Sequence, residues 1–315
     1  MFFKNSLNYF VQFFFFISDQ IKNLYLNSKI YNKRISKTSS KTFEYKPSRS
    51  LLDCLIKYEK KKIKIEDLYL NSVWSNKDLA KKDYRNLHSF FWLFSLDLKS
   101  SKKNIHSIIL NWIEENYNYN KKNWEIDILS KRTIAWISNS RLTYEDSDEI
   151  YKNKFSTIIQ KQINHLINEI EKSILINDKM IGCAAIILTG LSFKEKEKYL
   201  DFGLSLLKKI INFSFDTQGF PKSRSIRQQN FYLKYFVLIR EWLKESQSEI
   251  PIYLDEIIFY LGKSYSILCK GMKKSILFNG NHETDNKDFD QYLNNHRYKF
   301  KSNSFEAGGY AVFKN

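Results

Sequence analysis

Residues 148–191, DEIYKNKFSTIIQKQINHLINEIEKSILINDKMIGCAAIILTGL, hold two helices of different character, and that contrast decides the fold. In the first, Phe155, Ile158, Ile159, Ile163, Leu166, Ile167, Ile170 and Ile174 recur with helical period. The spacing places them on one face of a helix from about Asp148 to Ser173, with Ser147 as the N-cap residue. From Ile181 to Leu191 the chain is apolar all round. Gly182, Cys183, Ala184 and Ala185 permit close approach there, and Gly190 is expected to end the helix. A one-sided helix followed by an all-round apolar one predicts an outer and an inner layer.

The alternation extends in both directions. From Asp83 onward, Ile105, Ile108, Ile109, Trp112 and Ile113 mark one helix, and Leu129, Arg132, Trp136 and Ile137 the next. Further stripes run over Leu200–Phe213, Phe231–Leu243 and Leu254–Leu268, the last opened by Pro251. Hairpins of this kind build a mainly α fold, either an (α/α) toroid or a helical solenoid, and the lack of a fixed-length repeat favours the toroid. Only 9 Gly and 3 Pro, against 25 Phe and 20 Tyr, argue for long helices over a many-stranded barrel. Beyond Met272 the texture changes to short alternation with a Gly-Gly pair, the signal of strands and a hairpin. The expected organisation is an N-terminal helix and linker over 1–50, a toroid over 51–275 and the beginning of a β domain over 276–315.

The balance of 51 Lys and Arg against 34 Asp and Glu leaves a net charge of +17, which biases encounters toward anionic partners. Acidic polysaccharide, nucleic acid and lipid head groups all qualify, and an evenly solvated basic surface is the bland alternative. No helix-turn-helix, zinc or RNA-binding signature is present, so nucleic acid is not the expected partner. Cys54, Cys183 and Cys269 are isolated, which implies neither a disulfide framework nor a metal site. The N-terminus, MFFKNSLNYFVQFFFFISDQIK, carries an apolar run from Tyr9 to Ile17 broken by Gln12. That is short of the roughly 20 residues a bilayer crossing needs. No small-residue cleavage site follows, so a packed amphipathic helix is expected, with a degenerate secretion signal as the alternative.

Chemistry concentrates between Asp216 and Leu243, where DTQGFPKSRSIRQQ opens into the aromatic helix NFYLKYFVLIREWL. With a helix starting near Ser223, Arg224 and Arg227 would share one face beside unpaired backbone N–H groups, forming a seat for a carboxylate or sulfate. Both could equally be solvated charges. Tyr232 and Tyr235 could act as phenolic acids or bases, or simply pack. Trp124 could stack on a sugar or pack, and Asp127 could pair with Arg132. His88, before Phe90, Phe91 and Trp92, reads as a hydrogen-bonded core histidine.

Six landmarks in order, HSFFWLFSLDL at 88–98, WEIDILSKRTIAWI at 124–137, IILTGLSF at 186–193, QGFPKSRSIRQ at 218–228, ILFNG at 276–280 and AGGYAVF at 307–313, resemble the bacterial heparinase II/III family of polysaccharide lyases. The resemblance implies a toroid followed by a β-sandwich, of which 276–315 would be a truncated beginning. It implies β-elimination at a uronic acid in an acidic polysaccharide, in the periplasm or cell envelope, with the cytoplasm as the alternative; the visible motifs call for no cofactor, although the family's β domain sometimes holds a metal. Asn177 falls where the family grips the substrate carboxylate, but Asp178 stands where the family has His. Gln228 and Gln229 stand where characterised members carry Tyr and His, and neither can transfer a proton. The site expected from the resemblance and the residues together places Asn177, Arg224, Arg227, Gln228, Asn279 and Trp124 on the substrate and Tyr232 and His282 at the proton-transfer step. The alternatives are a toroid, or a fragment of one, that binds glycan without cleaving it and a basic helical protein for nucleic acid. Oligomeric state is not legible.

Overall fold

The computed structural model describes residues 2–37, 43–55, 74, 79–96, 100–193, 197–270, 279, 286–300 and 306–311. In chain order the helices are α1 (Phe2–Leu26), α2 (Lys29–Ile35), α3 (Arg49–Leu55), α4 (Lys81–Ser89), α5 (Lys102–Asn116), α6 (Ile126–Ser138) and α7 (Ser140–Thr143). They continue with α8 (Glu149–Glu169), α9 (Ile176–Ser192), α10 (Glu197–Ser214), α11 (Ile226–Glu245), α12 (Ile252–Leu268) and α13 (Lys287–Asn295). One antiparallel pair, β1 (Glu306–Ala307) and β2 (Tyr310–Ala311), follows.

Side-chain pairs fix the helix directions. Trp136 stacks on Phe155 at 5.4 Å and Arg132 bonds Gln162, so α8 runs antiparallel to α6. Gly182 of α9 packs beside Ser130 of α6, while the first turns of both helices also meet, so these two are parallel. Arg85 reaches Asp127 and Arg132 reaches the His88 carbonyl, which makes α4 parallel to α6 as well. Outside them, α5 and α8 run together the other way, through His106 on Tyr151 and Lys154 on Glu114. The inner helices α4, α6 and α9 therefore point one way and their outer partners the other. This is the two-layer toroid of hairpins that the periodicity anticipates.

The inner helix α9 is buried from Met180 to Thr189 because its residues are small or aliphatic on every side. Gly190 does not end it. The helix runs on to Ser192, and a Cβ at Gly190 would lie 2.6 Å from the Leu200 backbone nitrogen. The glycine serves close approach of α10 rather than termination. Gly203 repeats the device from the other side, where a Cβ would lie 2.5 Å from Ile187. Asp148, not Ser147, caps α8, accepting from the Tyr151 N–H at 2.7 Å.

Part of the segment expected to be a linker is structural. Phe43 bridges Phe193, the Glu44 N–H donates to the Ser192 carbonyl at 2.8 Å, and the Tyr45 hydroxyl donates to Glu245 at 2.7 Å. Arg49 then donates to the Phe94 and Leu96 carbonyls, and Leu52 and Leu55 of α3 are buried. This strap crosses the C-terminal ends of α9 and α11. Their N-terminal ends lie on the opposite side.

Two further segments differ from expectation. Residues 287–295, inside the stretch expected to begin a β domain but covered by neither strand signal, form a helix, because Phe289, Tyr292 and Leu293 bury one short apolar face. The N-terminal segment is helical, yet it is not packed: described side chains from Phe13 to Gln20 are all exposed.

Candidate functional site

Two clusters of functional side chains form, and the first is the turn before α11. Asp216 organises it by accepting from the N–H groups of Gln218 (2.9 Å) and Phe220 (3.0 Å), with Gly219 at φ +70° closing the turn. Arg224 takes a left-handed φ of +58°, and Ser225, the true N-cap, accepts from Gln228. The helix thus starts at Ile226, later than expected. Arg224 precedes the cap, so it does not share a helix face with Arg227.

The Arg224 guanidinium lies 2.6 Å from the Asp216 carboxylate. Burial would raise that carboxyl, but backbone donors, chiefly Phe220, together with Arg224 hold it below its usual range. The Arg224 charge is consequently paired within the loop. Its carbonyl accepts from Asn279 at 2.7 Å and from the Tyr310 hydroxyl at 2.6 Å. Phe220, Ile226 and Ala307 share a small apolar cluster beneath. Three distant stretches, around Phe220, Asn279 and Tyr310, therefore assemble at one rim. Gln228 joins them, accepting from Ser223 at 2.6 Å, while Arg227 is exposed and has no ion pair among the described residues.

The second cluster lies at the N-terminal ends of α6 and α9. Asp127 accepts from Arg85 at 2.5 Å and Lys131 at 2.9 Å, and Arg85 also pairs with Glu125. Burial alone would raise the Asp127 carboxyl; Lys131 and Arg85 outweigh it and hold it below its ordinary value. Asp178 behaves oppositely. Burial first, and then the Asp127 charge, push it up against the pull of Arg85 and Lys131. Asn177 next to it is exposed, and no contact among the described residues joins it to Arg224 or Asn279.

Two clefts adjoin here. One, of about 400 Å³, is lined by Lys81, Lys82, Arg85, Asp127 and Lys131. The other, of about 850 Å³, shares Lys81 and Arg85 and adds Tyr84, Lys121, Lys122 and Asn123, with the carboxylates Glu115 and Glu125 outnumbered by the cations and Glu125 paired with Arg85. Lys81, Lys121 and Lys122 are exposed and have no carboxylate partner among the described residues. A cationic groove results, opposite the strap.

Below the groove lies a polar core. Arg132 is fully buried, donating to the His88 carbonyl (2.9 Å), the Asn123 carbonyl (3.0 Å) and Gln162 (3.0 Å), and it sits 4.1 Å over the Trp112 ring. It does not pair with Asp127, which has nearer cations. His88 is structural, as its setting implies: Trp112 Nε1 donates to its Nδ1 at 3.0 Å, and burial with Arg132 nearby lowers it to about 3.

Two expected site residues are core side chains instead. Trp124 is 1 % exposed and packs on Tyr119 and His165, out of reach of a sugar. Tyr232 is fully buried among Phe215, Phe231 and Phe236, its hydroxyl 3.4 Å from Ser214, and burial raises its phenol. Neither touches solvent, so neither meets substrate. His282 lies outside the described residues. The groove cations Lys81, Arg85, Lys121 and Lys122 were not foreseen; the doublets Lys81-Lys82 and Lys121-Lys122 are their only sequence signal.

No protein-family model and no curated protein matches the chain. Solved structures do. A mutant of heparan sulfate lyase HepC from Pedobacter heparinus aligns with a TM-score of 0.62 at 12% identity, and HepC itself with 0.57 at 12%, each over 85% of this chain and 48% of that one. A heparinase III structure aligns with a TM-score of 0.57 at 17% identity, over 84% of this chain and 48% of its own. The chain thus spans about half the length of the structures it matches. At such identities the likeness establishes architecture: the mainly α toroid described above is a polysaccharide-lyase-like fold of the heparinase III type.

Proposed function

We propose that this toroid binds an acidic, uronate-containing polysaccharide along the groove between α4, the 117–125 loop and α6, and presents it for β-elimination. The observation that carries this reading is the set of uncompensated cations, Lys81, Lys121 and Lys122, in a groove whose floor already holds Arg85 and Lys131. Such a surface attracts repeating carboxylate or sulfate groups and weakens with added salt. In the elimination a base removes the proton at C5, the electrons form the C4–C5 double bond, and the 4-linked sugar departs with a proton. Preorganised cations and amides stabilise the carboxylate as its α-carbon gains negative charge. Asn177 and Arg227 are the exposed donors suited to that task, and His282 is the remaining candidate base.

The test joins binding to turnover. Heparan sulfate, heparin, alginate and polyuronate are titrated with the protein, and ultraviolet absorbance of an unsaturated uronate is followed. Binding that falls at least about tenfold in a Lys81→Gln/Lys121→Gln/Lys122→Gln variant supports the groove. Equal binding by the variant, or a preference for duplex DNA, refutes it. A second reading, binding without cleavage, is favoured by the tied-up Arg224 and the buried Tyr232. Glycan binding with no unsaturated product across the panel would select it.

A further inference from the structure

The first helix leaves the body of the protein. Leu26 and Tyr31 are buried and Lys22 pairs with Glu169 at 2.6 Å, which anchors the root of α1 against α8. Beyond that root Phe13, Phe14, Phe15 and Phe16 are each more than 60 % exposed. Consecutive helical residues project about 100° apart, so four phenylalanines in a row surround the helix. A protein groove covers one face and would leave part of that ring in water. An enclosing apolar medium covers all of it.

Charge identifies the medium. Lys29, Lys33 and Lys37 follow α1, are exposed and have no carboxylate partner among the described residues, and Arg34 beside them is exposed as well. An apolar turn in the middle of α1, followed by a cluster of cations on and beside α2, matches the interfacial layer of an anionic bilayer. The apolar run Tyr9–Ile17 is about 13 Å long, less than half the hydrocarbon thickness. No helix of the described residues is long and apolar enough to cross a membrane. We propose that α1 inserts its phenylalanine turn into one leaflet of an anionic membrane, with the α2 cations on the head groups, and holds the toroid at that surface. The proposal is independent of what the groove binds.

Sedimentation with vesicles tests it on the full chain. The protein is expected to pellet with vesicles containing phosphatidylglycerol, roughly tenfold more tightly than with phosphatidylcholine alone. A Phe14→Ser/Phe15→Ser variant should bind about tenfold less while keeping its melting temperature, since both side chains are exposed. A Lys29→Gln/Lys33→Gln variant should lose the preference for anionic lipid. The proposal is overturned if the parent stays in the supernatant or if the phenylalanine variant pellets equally. Phenylalanine-dependent dimers in light scattering without pelleting would also overturn it, assigning the phenylalanine turn to a second copy of the chain.

Discussion

Arg132 shows how a single residue can hold two layers together. It carries no carboxylate partner; carbonyls of His88 and Asn123, the Gln162 amide oxygen and the Trp112 face share its charge. Burial lowers its pKa to about 9, so it remains a cation at neutral pH. Arg132→Met would strand three buried acceptors, and we expect a loss of about 3–5 kcal/mol in chemical unfolding. The buried histidines give a pH signature. Burial lowers His88 to about 3 and His165, which is hydrogen-bonded to the Tyr31 hydroxyl, to about 4. In the unfolded chain both titrate near 6.5, so below that pH the unfolded state binds more protons. Their contribution is complete above about pH 6.5 and declines as pH falls toward 4 and 3. Unfolding at pH 5 should cost roughly 4 kcal/mol less than at pH 7 from these two groups. A stability that stays flat from pH 7 to pH 5 would contradict the buried neutral state.

At the scale of elements, the contact between α9 and α10 depends on missing side chains. Gly190→Ala gains helix propensity of about 1 kcal/mol. Its Cβ, however, meets backbone atoms of Leu200, which cannot rotate away. We expect net destabilisation of about 1–3 kcal/mol, read as a lower melting temperature; a variant that melts at or above the parent would show that α10 can slide. These helices were legible because burial imposes the period that the apolar residues display. The missed elements lacked that signal. α13 has only nine residues, too few for a stripe, and the start of α11 was hidden by competition between Ser223 and Ser225 as caps. Aromatics misled in the same way: packing and sugar stacking select the same residues, and only burial separates them, which placed Trp124 and Tyr232 in the core.

The whole molecule is closed by chain segments far apart in sequence. The groove cations come from α4, a loop and α6, and beyond two lysine doublets nothing local distinguishes them among 51 Lys and Arg, so the groove is a property of the fold rather than of a motif. The same holds for the strap. Tyr45 and Glu245 are 200 residues apart yet bonded at 2.7 Å, and α3 buries Leu52 against the far end of the helical series. If this clasp closes the toroid, a cavity at Leu52 destabilises the entire ring, whereas removal of an exposed terminus does not. Leu52→Ala should cost about 2–5 kcal/mol and shift thermal unfolding as a whole. Removal of residues 1–20, whose described side chains are exposed, should move the melting temperature by less than about 2 °C. The two variants compared in one calorimeter decide the point: similar melting for Leu52→Ala and the parent would mean that the strap lies on a ring already closed by other contacts.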